Sequence, residues 1–153
     1  MLTRFSEQAE AVLRRAGWYP GRQVPDLVAL WKETLLQSDG FEMFPSAEKA
    51  LLEFGGLKID QQGPGVSCSR EPFEINPTMA MYEGDRFEEL ASVVNSRLYP
   101  LGEAVSGLCF LAIAENDSVY LLMDDIRVVG NTIGEGLEAL LIGLEPSVPI
   151  TRV

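Results

Sequence analysis

Residues 107–143 read GLCFLAIAENDSVYLLMDDIRVVGNTIGEGLEALLIG and decide the fold of this chain. The apolar run 108–114 predicts a strand, and residues 115–118 (ENDS) are of the types that hairpin turns prefer. Residues 119–123 predict the return strand, and 126–129 predict a further short strand before a turn at Gly130-Asn131. The stretch therefore predicts consecutive antiparallel strands that lead into a last helix.

That last helix carries its own start signal. Thr132 and Glu135 have the spacing of a capping box, in which the threonine hydroxyl accepts a backbone N–H hydrogen bond three residues on. An apolar stripe follows at helical spacing and is predicted to face the core; it consists of Ile133, Leu137, Leu140, Leu141 and Leu144. Residues from about 146 onward are predicted to form a short tail.

Three helices are predicted before the strands. The first begins after a Ser6 cap, and the second runs over 26–37 with Leu27, Leu30, Trp31 and Leu35 on its buried face. The third has Ser46 as its cap and ends at Gly55-Gly56. Between the first two helices, Trp18 is either an anchor that holds the first helix to the core or an exposed recognition aromatic.

The middle of the chain predicts short strands over 57–59, 66–69 and 72–75, and a fourth helix over 85–95. Helices come first, antiparallel strands follow, and a helix ends the order. This arrangement predicts an α+β fold, with helices packed on a largely antiparallel sheet, in one domain that spans residues 1–153.

The charge of the chain is distributed unevenly. The net charge is −11, and residues 1–70 hold eight Lys/Arg against nine Asp/Glu, whereas residues 71–153 hold four against fourteen. An acidic surface repels nucleic acid and anionic lipid and attracts basic partners. The second half is therefore expected to carry either a surface for a basic partner or only a solubilising charge.

The sequence offers few of the residues that catalysis commonly uses. The chain has no histidine, which removes the commonest general base and metal ligand near neutral pH. Cys68 and Cys109 lack metal-type spacing and are expected to be buried free thiols, with a disulfide as the alternative. No cofactor and no bound metal are predicted.

Neither membrane insertion nor export is expected. No apolar run reaches membrane-spanning length, and no export signal is visible at the N-terminus. A cytoplasmic location is therefore expected.

Two acidic groups are the candidate partner-binding residues, and they comprise Glu83, Asp85, Glu88, Glu89, Asp124 and Asp125. The four around the predicted fourth helix form either a solvated helix face or a contact for a basic partner. The Asp124-Asp125 pair is either a solvated strand end, a protein contact or a metal site. Adjacent strand residues point to opposite faces, which weakens the metal alternative.

Short motifs spread over nearly the whole chain resemble the SUKH superfamily of bacterial immunity proteins, most closely its third subgroup. They are FSE at 5–7, VL at 12–13, AGW at 16–18, PGR at 20–22, GF at 40–41, FPSAE at 44–48, EFGGL at 53–57, RLYPLG at 97–102, FLAI at 110–113, VYLLMDD at 119–125 and GEGLE at 134–138. Each motif is common by itself, and their order along the chain carries the resemblance.

The resemblance implies a single α+β domain without enzymatic activity. It also implies a partner, the C-terminal domain of a polymorphic toxin, which such proteins bind and neutralise. Many toxins of these systems are nucleases, so occlusion of a basic active site is the leading hypothesis. The alternatives are an interaction or regulatory module of the same fold without a toxin partner, and an enzyme that uses carboxylates and a metal.

Overall fold

The computed structural model describes residues 4–150, and within them it contains five α-helices and six β-strands. The helices are α1 (Glu7–Arg15), α2 (Pro25–Asp39), α3 (Pro45–Phe54), α4 (Gly84–Val94) and α5 (Ile133–Ile142). The strands are β1 (Lys58–Ile59), β2 (Phe73–Glu74), β3 (Leu98–Ala104), β4 (Cys109–Ala114), β5 (Val119–Leu122) and β6 (Ile126–Gly130). The predicted α+β class is confirmed.

The six strands form one antiparallel sheet in the order β1 to β6, so each strand pairs with its neighbour in sequence. The predicted hairpin is confirmed at β4 and β5, where Ala112 lies opposite Tyr120 and Ile113 opposite Val119. In the connecting turn, Asp117 takes left-handed backbone with φ of 76°. From β3 onward, consecutive strands are joined by short connections, as antiparallel pairing permits, whereas the connection from β2 to β3 contains α4.

The two faces of the sheet are covered by different helices. One face presents residues such as Leu111 and Leu121 to α1, α2, α3 and α5. The other presents Ala112 and Tyr120 to α4, which contributes Phe87. Because side chains alternate along a strand, neighbouring residues pack against the helices on opposite faces of the sheet. The sheet is therefore the middle layer of three, and α4 is the helix that covers its second face.

The N-terminal helix is held by an aromatic cluster. Trp18 is buried, and its ring lies edge-on to Phe5 at 5.5 Å and stacked on Phe54 at 6.5 Å, measured between ring centroids. Its indole N–H donates a hydrogen bond to the Glu53 carboxylate at 3.0 Å. The interpretation of Trp18 as an anchor is confirmed.

Two of the three predicted helix caps are confirmed and one is wrong. The Ser6 hydroxyl accepts the Ala9 N–H at 3.2 Å, and the Thr132 hydroxyl accepts the Glu135 N–H at 3.1 Å. Ser46 does not cap α3, because the helix begins one residue earlier at Pro45. The Ser46 hydroxyl instead donates to the Ala114 carbonyl at 2.8 Å and so joins α3 to the end of β4.

Two predicted apolar faces need correction. Leu30 does not lie on the buried face of α2; it is 61% exposed, and Val28 is buried in its place. Leu144 is not part of the buried stripe of α5, because the helix ends at Gly143 and Leu144 is exposed beyond it.

The predicted strand 66–69 is wrong. These residues form a loop that caps the C-terminus of α5: the Val66 N–H donates to the Ile142 carbonyl at 2.9 Å, and the Cys68 N–H donates to the Gly143 carbonyl at 3.0 Å. The last carbonyls of a helix have no partners within it, and this loop supplies them. Cys68 is consequently exposed rather than buried, whereas Cys109 is buried; both are free thiols.

The segment after α5 runs along the outer edge of the sheet. The Ser147 N–H donates to the Val128 carbonyl at 3.0 Å, and the Ile150 N–H donates to the Ile126 carbonyl at 2.8 Å. Ile150 packs on the face that α4 covers. The predicted tail thus covers the edge that β6 would otherwise expose.

Candidate functional site

The acidic residues around α4 lie on its solvent side. Phe87 and Leu90 are buried against the sheet and fix which side of the helix faces outward. The candidate carboxylates of this region are exposed; they are Glu83, Asp85, Glu88 and Glu89. Together with Asp124 they form what is called here the acidic face. It combines four negative charges within seven residues with a rigid helical support.

The N-terminus of α4 is held by a carboxylate from another helix. Asp39, the last residue of α2, accepts the Tyr82 N–H at 2.8 Å and the Gly84 N–H at 2.9 Å. Partial burial is the largest influence on the Asp39 pKa and raises it, but hydrogen bonds from Ser38, Tyr82 and Gly84 together outweigh burial and lower the pKa. Asp39 therefore stays ionised and fixes the start of the acidic face.

Tyr82 stands out beside this cap. Its φ is 72°, a left-handed conformation that costs a residue with a side chain about 1 kcal/mol or more, and its ring is 81% exposed. The Asp39 hydrogen bond to its N–H holds the backbone in this shape. An exposed aromatic next to Glu83 adds an apolar contact to the acidic face. Sequence reasoning missed it, since only its place before an acidic helix marks it.

Asp124 and Asp125 lie in the turn between β5 and β6 and not on a strand, and their side chains point to different faces of the sheet. Asp124 is fully exposed and points toward α4, with its carboxylate 3.7 Å from the Arg86 guanidinium. Asp125 accepts two hydrogen bonds from Arg127, at 3.2 and 3.1 Å, on the opposite face of the sheet. The structure thus brings Asp124, but not Asp125, to the acidic face.

A cleft of about 290 Å³ lies between α4 and the residues that follow α2. Its lining includes Glu88 and two carboxylates that the sequence did not single out, Asp39 and Glu42. Arg97 also lines it and bonds to Glu42 at 3.3 Å and to Glu115 at 3.0 Å. The hydrogen bond from the Arg97 guanidinium lowers the pKa of Glu115. Net negative charge therefore extends from α4 into the cleft.

A second, more apolar cavity of about 240 Å³ lies on the other face of the sheet. Its floor is formed by β3, β4 and β5, one wall by α5 and the residues after it, and the other wall by the 63–70 loop. Asp125 and Arg127 stand at its open end. We call this cavity the groove.

The thiols are poor nucleophiles in this environment. Burial raises the pKa of Cys109, with a further contribution from Asp125, and burial followed by Glu145 and Glu71 raises the pKa of Cys68. Because the thiolate is the reactive form, both cysteines stay protonated near neutral pH.

Residues 4–150 contain no group of three or more His, Cys, Asp or Glu side chains arranged to hold a metal ion. No helix within the same range has the length and apolar character to cross a membrane.

Comparison with known proteins gives one match. The family model described as SUKH-3 immunity protein matches residues 5–143, which is most of the chain. No curated protein and no solved structure matches.

Proposed function

The chain belongs to the SUKH-3 immunity protein family, and we propose that it binds the C-terminal domain of a cognate polymorphic toxin and blocks the active site of that domain in the cytoplasm. Membership of the family implies a function in toxin immunity and a protein toxin as the partner. Immunity proteins of this kind are generally not enzymes. The family match over residues 5–143 is the observation that carries the proposal.

The acidic face supports a basic target. Asp85, Glu88 and Glu89 are exposed on one rigid helix, Glu83 is exposed at its N-cap, and Asp124 faces the same helix from the β5–β6 turn. A toxin domain that cleaves nucleic acid needs a basic cleft for the phosphate backbone. Carboxylates on a fixed helix can occupy such a cleft in place of phosphates, because they present similar charge.

This charge is expected to act mainly on the rate of association. Complementary potentials steer two proteins together and raise the association rate by about tenfold or more at low salt. Isolated exposed charges contribute little to final affinity. Apolar contacts must therefore add to the affinity, and Tyr82 is one candidate for such a contact.

Co-expression tests the proposal directly. The toxin domain encoded beside this gene is expressed from an inducible promoter, with or without this chain. Restored growth with the chain, and killing with an unrelated immunity protein at equal soluble level, is the expected result. Cell death despite soluble co-expression would contradict the proposal.

A purified assay then separates binding from expression effects. The activity of the toxin domain on its own substrate is titrated with the chain. Loss of activity at one equivalent of chain is expected for a blocked active site, whereas a bound toxin that keeps full activity would refute occlusion.

A further inference from the structure

The groove is surrounded by exposed apolar side chains. Met123 and Leu144 line it and are both exposed. Val66 and Leu108, also exposed, belong to the loop and the β3–β4 turn that contribute other lining residues. Single exposed apolar residues are ordinary, but a group around an apolar cavity marks an interaction site.

The groove is pre-formed by close backbone packing. Gly65 of the 63–70 loop meets Gly143 so closely that a Cβ at Gly143 would lie 2.6 Å from the Gly65 Cα. Hydrogen bonds from the loop to the end of α5 hold the same contact, including the Ser67 N–H to the Gly143 carbonyl at 2.9 Å. A rigid wall of this kind reduces the ordering cost of binding.

The described residues that follow α5 do not fill the groove. The segment from Ser147 to Ile150 turns away and hydrogen-bonds along β6. Ile150 packs on the opposite face of the sheet. The apolar floor at Leu121 and Cys109 is thus left with an open entrance among the described residues.

The entrance carries net negative charge. Glu71 and Asp125 line it, and Glu145 lies beside the loop wall, where its N–H donates to the Ser67 hydroxyl at 2.8 Å. Arg127 and Arg70 are the opposing cations: Asp125 already binds Arg127 through two hydrogen bonds, and Arg70 of the loop packs against Gly143 and donates to the Gln62 carbonyl. Three carboxylates against two guanidinium groups still favour a cationic group at the entrance.

We propose that the groove is a second docking site for the toxin, and that it takes an apolar side chain flanked by a lysine or arginine. The partner in this inference rests on the proposed function. The apolar side chain packs on Leu121 and Leu140, and the neighbouring cation meets Glu71 and Glu145 at the entrance.

The size of the groove fits this occupant. Pockets for drug-sized ligands and cofactors span roughly 300–1,000 Å³, and the groove, at about 240 Å³, is smaller. One large side chain in a dry pocket is the usual form of an interface hot spot. The β5–β6 turn joins the two surfaces, since Met123 and Asp125 face the groove while Asp124 faces α4.

Toxin binding by groove variants tests the inference. Met123→Lys and Leu144→Lys each place a positive charge beside the groove, where it disturbs the apolar contact and repels the partner's cation, without removing a fully buried side chain. Both are expected to weaken binding of the cognate toxin domain about tenfold or more, mainly by faster dissociation. Leu30→Lys is the matched control, because Leu30 is exposed on α2 and does not line the groove. It is expected to change the Kd less than twofold.

The outcomes separate this inference from the proposed function. If the wild-type chain binds the toxin and both groove variants bind equally well, the groove is not a docking site, although the proposed function stands. If the wild-type chain is a dimer that Met123→Lys dissociates, the occupant is a second copy and the inference is wrong. Thermal unfolding of each variant reports whether its fold is intact.

A second measurement does not need the toxin. A phage-displayed library of random 12-residue peptides is selected on the wild-type chain and counter-selected on Met123→Lys. Enrichment of sequences with an aromatic or branched apolar residue beside Lys or Arg is expected. Failure to enrich such pairs, or equal binding of the enriched peptides to Met123→Lys, would overturn the inference.

Discussion

The acidic face of α4 and the groove on the other side of the sheet offer a partner different things. The acidic face is exposed and highly charged, with Tyr82 as its main apolar group. The groove is concave and apolar, with a few charges at its entrance. Charge acts over a distance and speeds encounter, whereas apolar burial acts on contact and slows dissociation. We therefore predict that substitutions on the acidic face slow association, whereas substitutions at the groove speed dissociation.

The largest expected effect comes from the glycine that closes the groove wall. Gly143→Ala places a methyl group 2.5 Å from the Cys68 carbonyl oxygen in a backbone with φ of 74°. Because the 63–70 loop must move, we expect a loss of about 3 kcal/mol in the free energy of unfolding, measured by urea denaturation. Toxin dissociation should also become faster, with the salt dependence of association unchanged.

Gly40→Ala is the matched control. Gly40 ends α2 with φ of 77°, but no atom lies within 4 Å of its would-be Cβ. Only the backbone cost of about 1 kcal/mol is expected. Equal losses for the two variants would show that the contact between the loop and α5 contributes nothing to stability.

Charge reversal on α4 should lower the association rate constant for the toxin. Glu88→Lys with Glu89→Lys is expected to slow toxin association about tenfold at low salt and to weaken its salt dependence. Stopped-flow mixing over a range of salt concentrations measures both. A double reversal at Glu7 and Glu10 of α1 serves as a control of equal charge. An association rate unchanged by the α4 reversal would refute steering, although it would leave toxin binding itself intact.

Removal of the carboxylate that caps α4 should have a smaller effect. Asp39→Ala leaves the N–H groups of Tyr82 and Gly84 without their partner, and a loss of about 1 kcal/mol is expected at pH 7. Thermal unfolding measures it, with Asp26→Ala of α2 as a control expected to cost less than about 0.5 kcal/mol.

The same residue makes a pH prediction. The Asp39 pKa is lower in the folded state than its usual value, so its ionised form stabilises the fold above the unfolded pKa of about 3.9. That contribution is lost as the pH falls through the folded value. In Asp39→Ala this part of the acid destabilisation should be absent. If the free energy of unfolding falls equally with decreasing pH in the wild-type chain and in Asp39→Ala, the role of Asp39 is contradicted.

The smallest effect is expected at an ion pair within the acidic face, between α4 and the β5–β6 turn. Arg86 and Asp124 approach only to 3.7 Å, and Asp124 is fully exposed. A double-mutant cycle with Arg86→Ala and Asp124→Ala should therefore show no measurable coupling in stability. A clear coupling would mean that this ion pair helps to hold the β5–β6 turn against α4.

The sequence predicted what is determined locally. The β4–β5 hairpin and the capping boundary of α5 follow from turn residues and periodicity within residues 107–143, and the structure confirms both. The acids of α4 were found because charge and helical spacing are visible in sequence.

Strand β3 was missed because of Pro100 and Gly102. Proline is confined to unpaired positions of a sheet, and here the partner strand β2 reaches only to Glu103 and Ala104, which leaves the other side of Pro100 free. Gly102 is required because a Cβ there would collide with the Glu74 carbonyl. Both reasons depend on β2, which lies 24 or more residues earlier in the chain.

The groove was missed for a similar reason. The 63–70 loop alternates like a strand, but its hydrogen-bond partners are the last carbonyls of α5, more than 70 residues later. Periodicity reports which residues are apolar, not which of them remain uncovered after folding.

The most direct test of the account is a footprint of the toxin on this chain. Amide hydrogen exchange is measured with and without the cognate toxin domain. We expect slower exchange on toxin binding at the N-terminus of α4, at residues 123–125 and in the 63–70 loop, with α1 unchanged. Protection confined to α1, α2 and α3, with none at α4 or residues 123–125, would contradict the account.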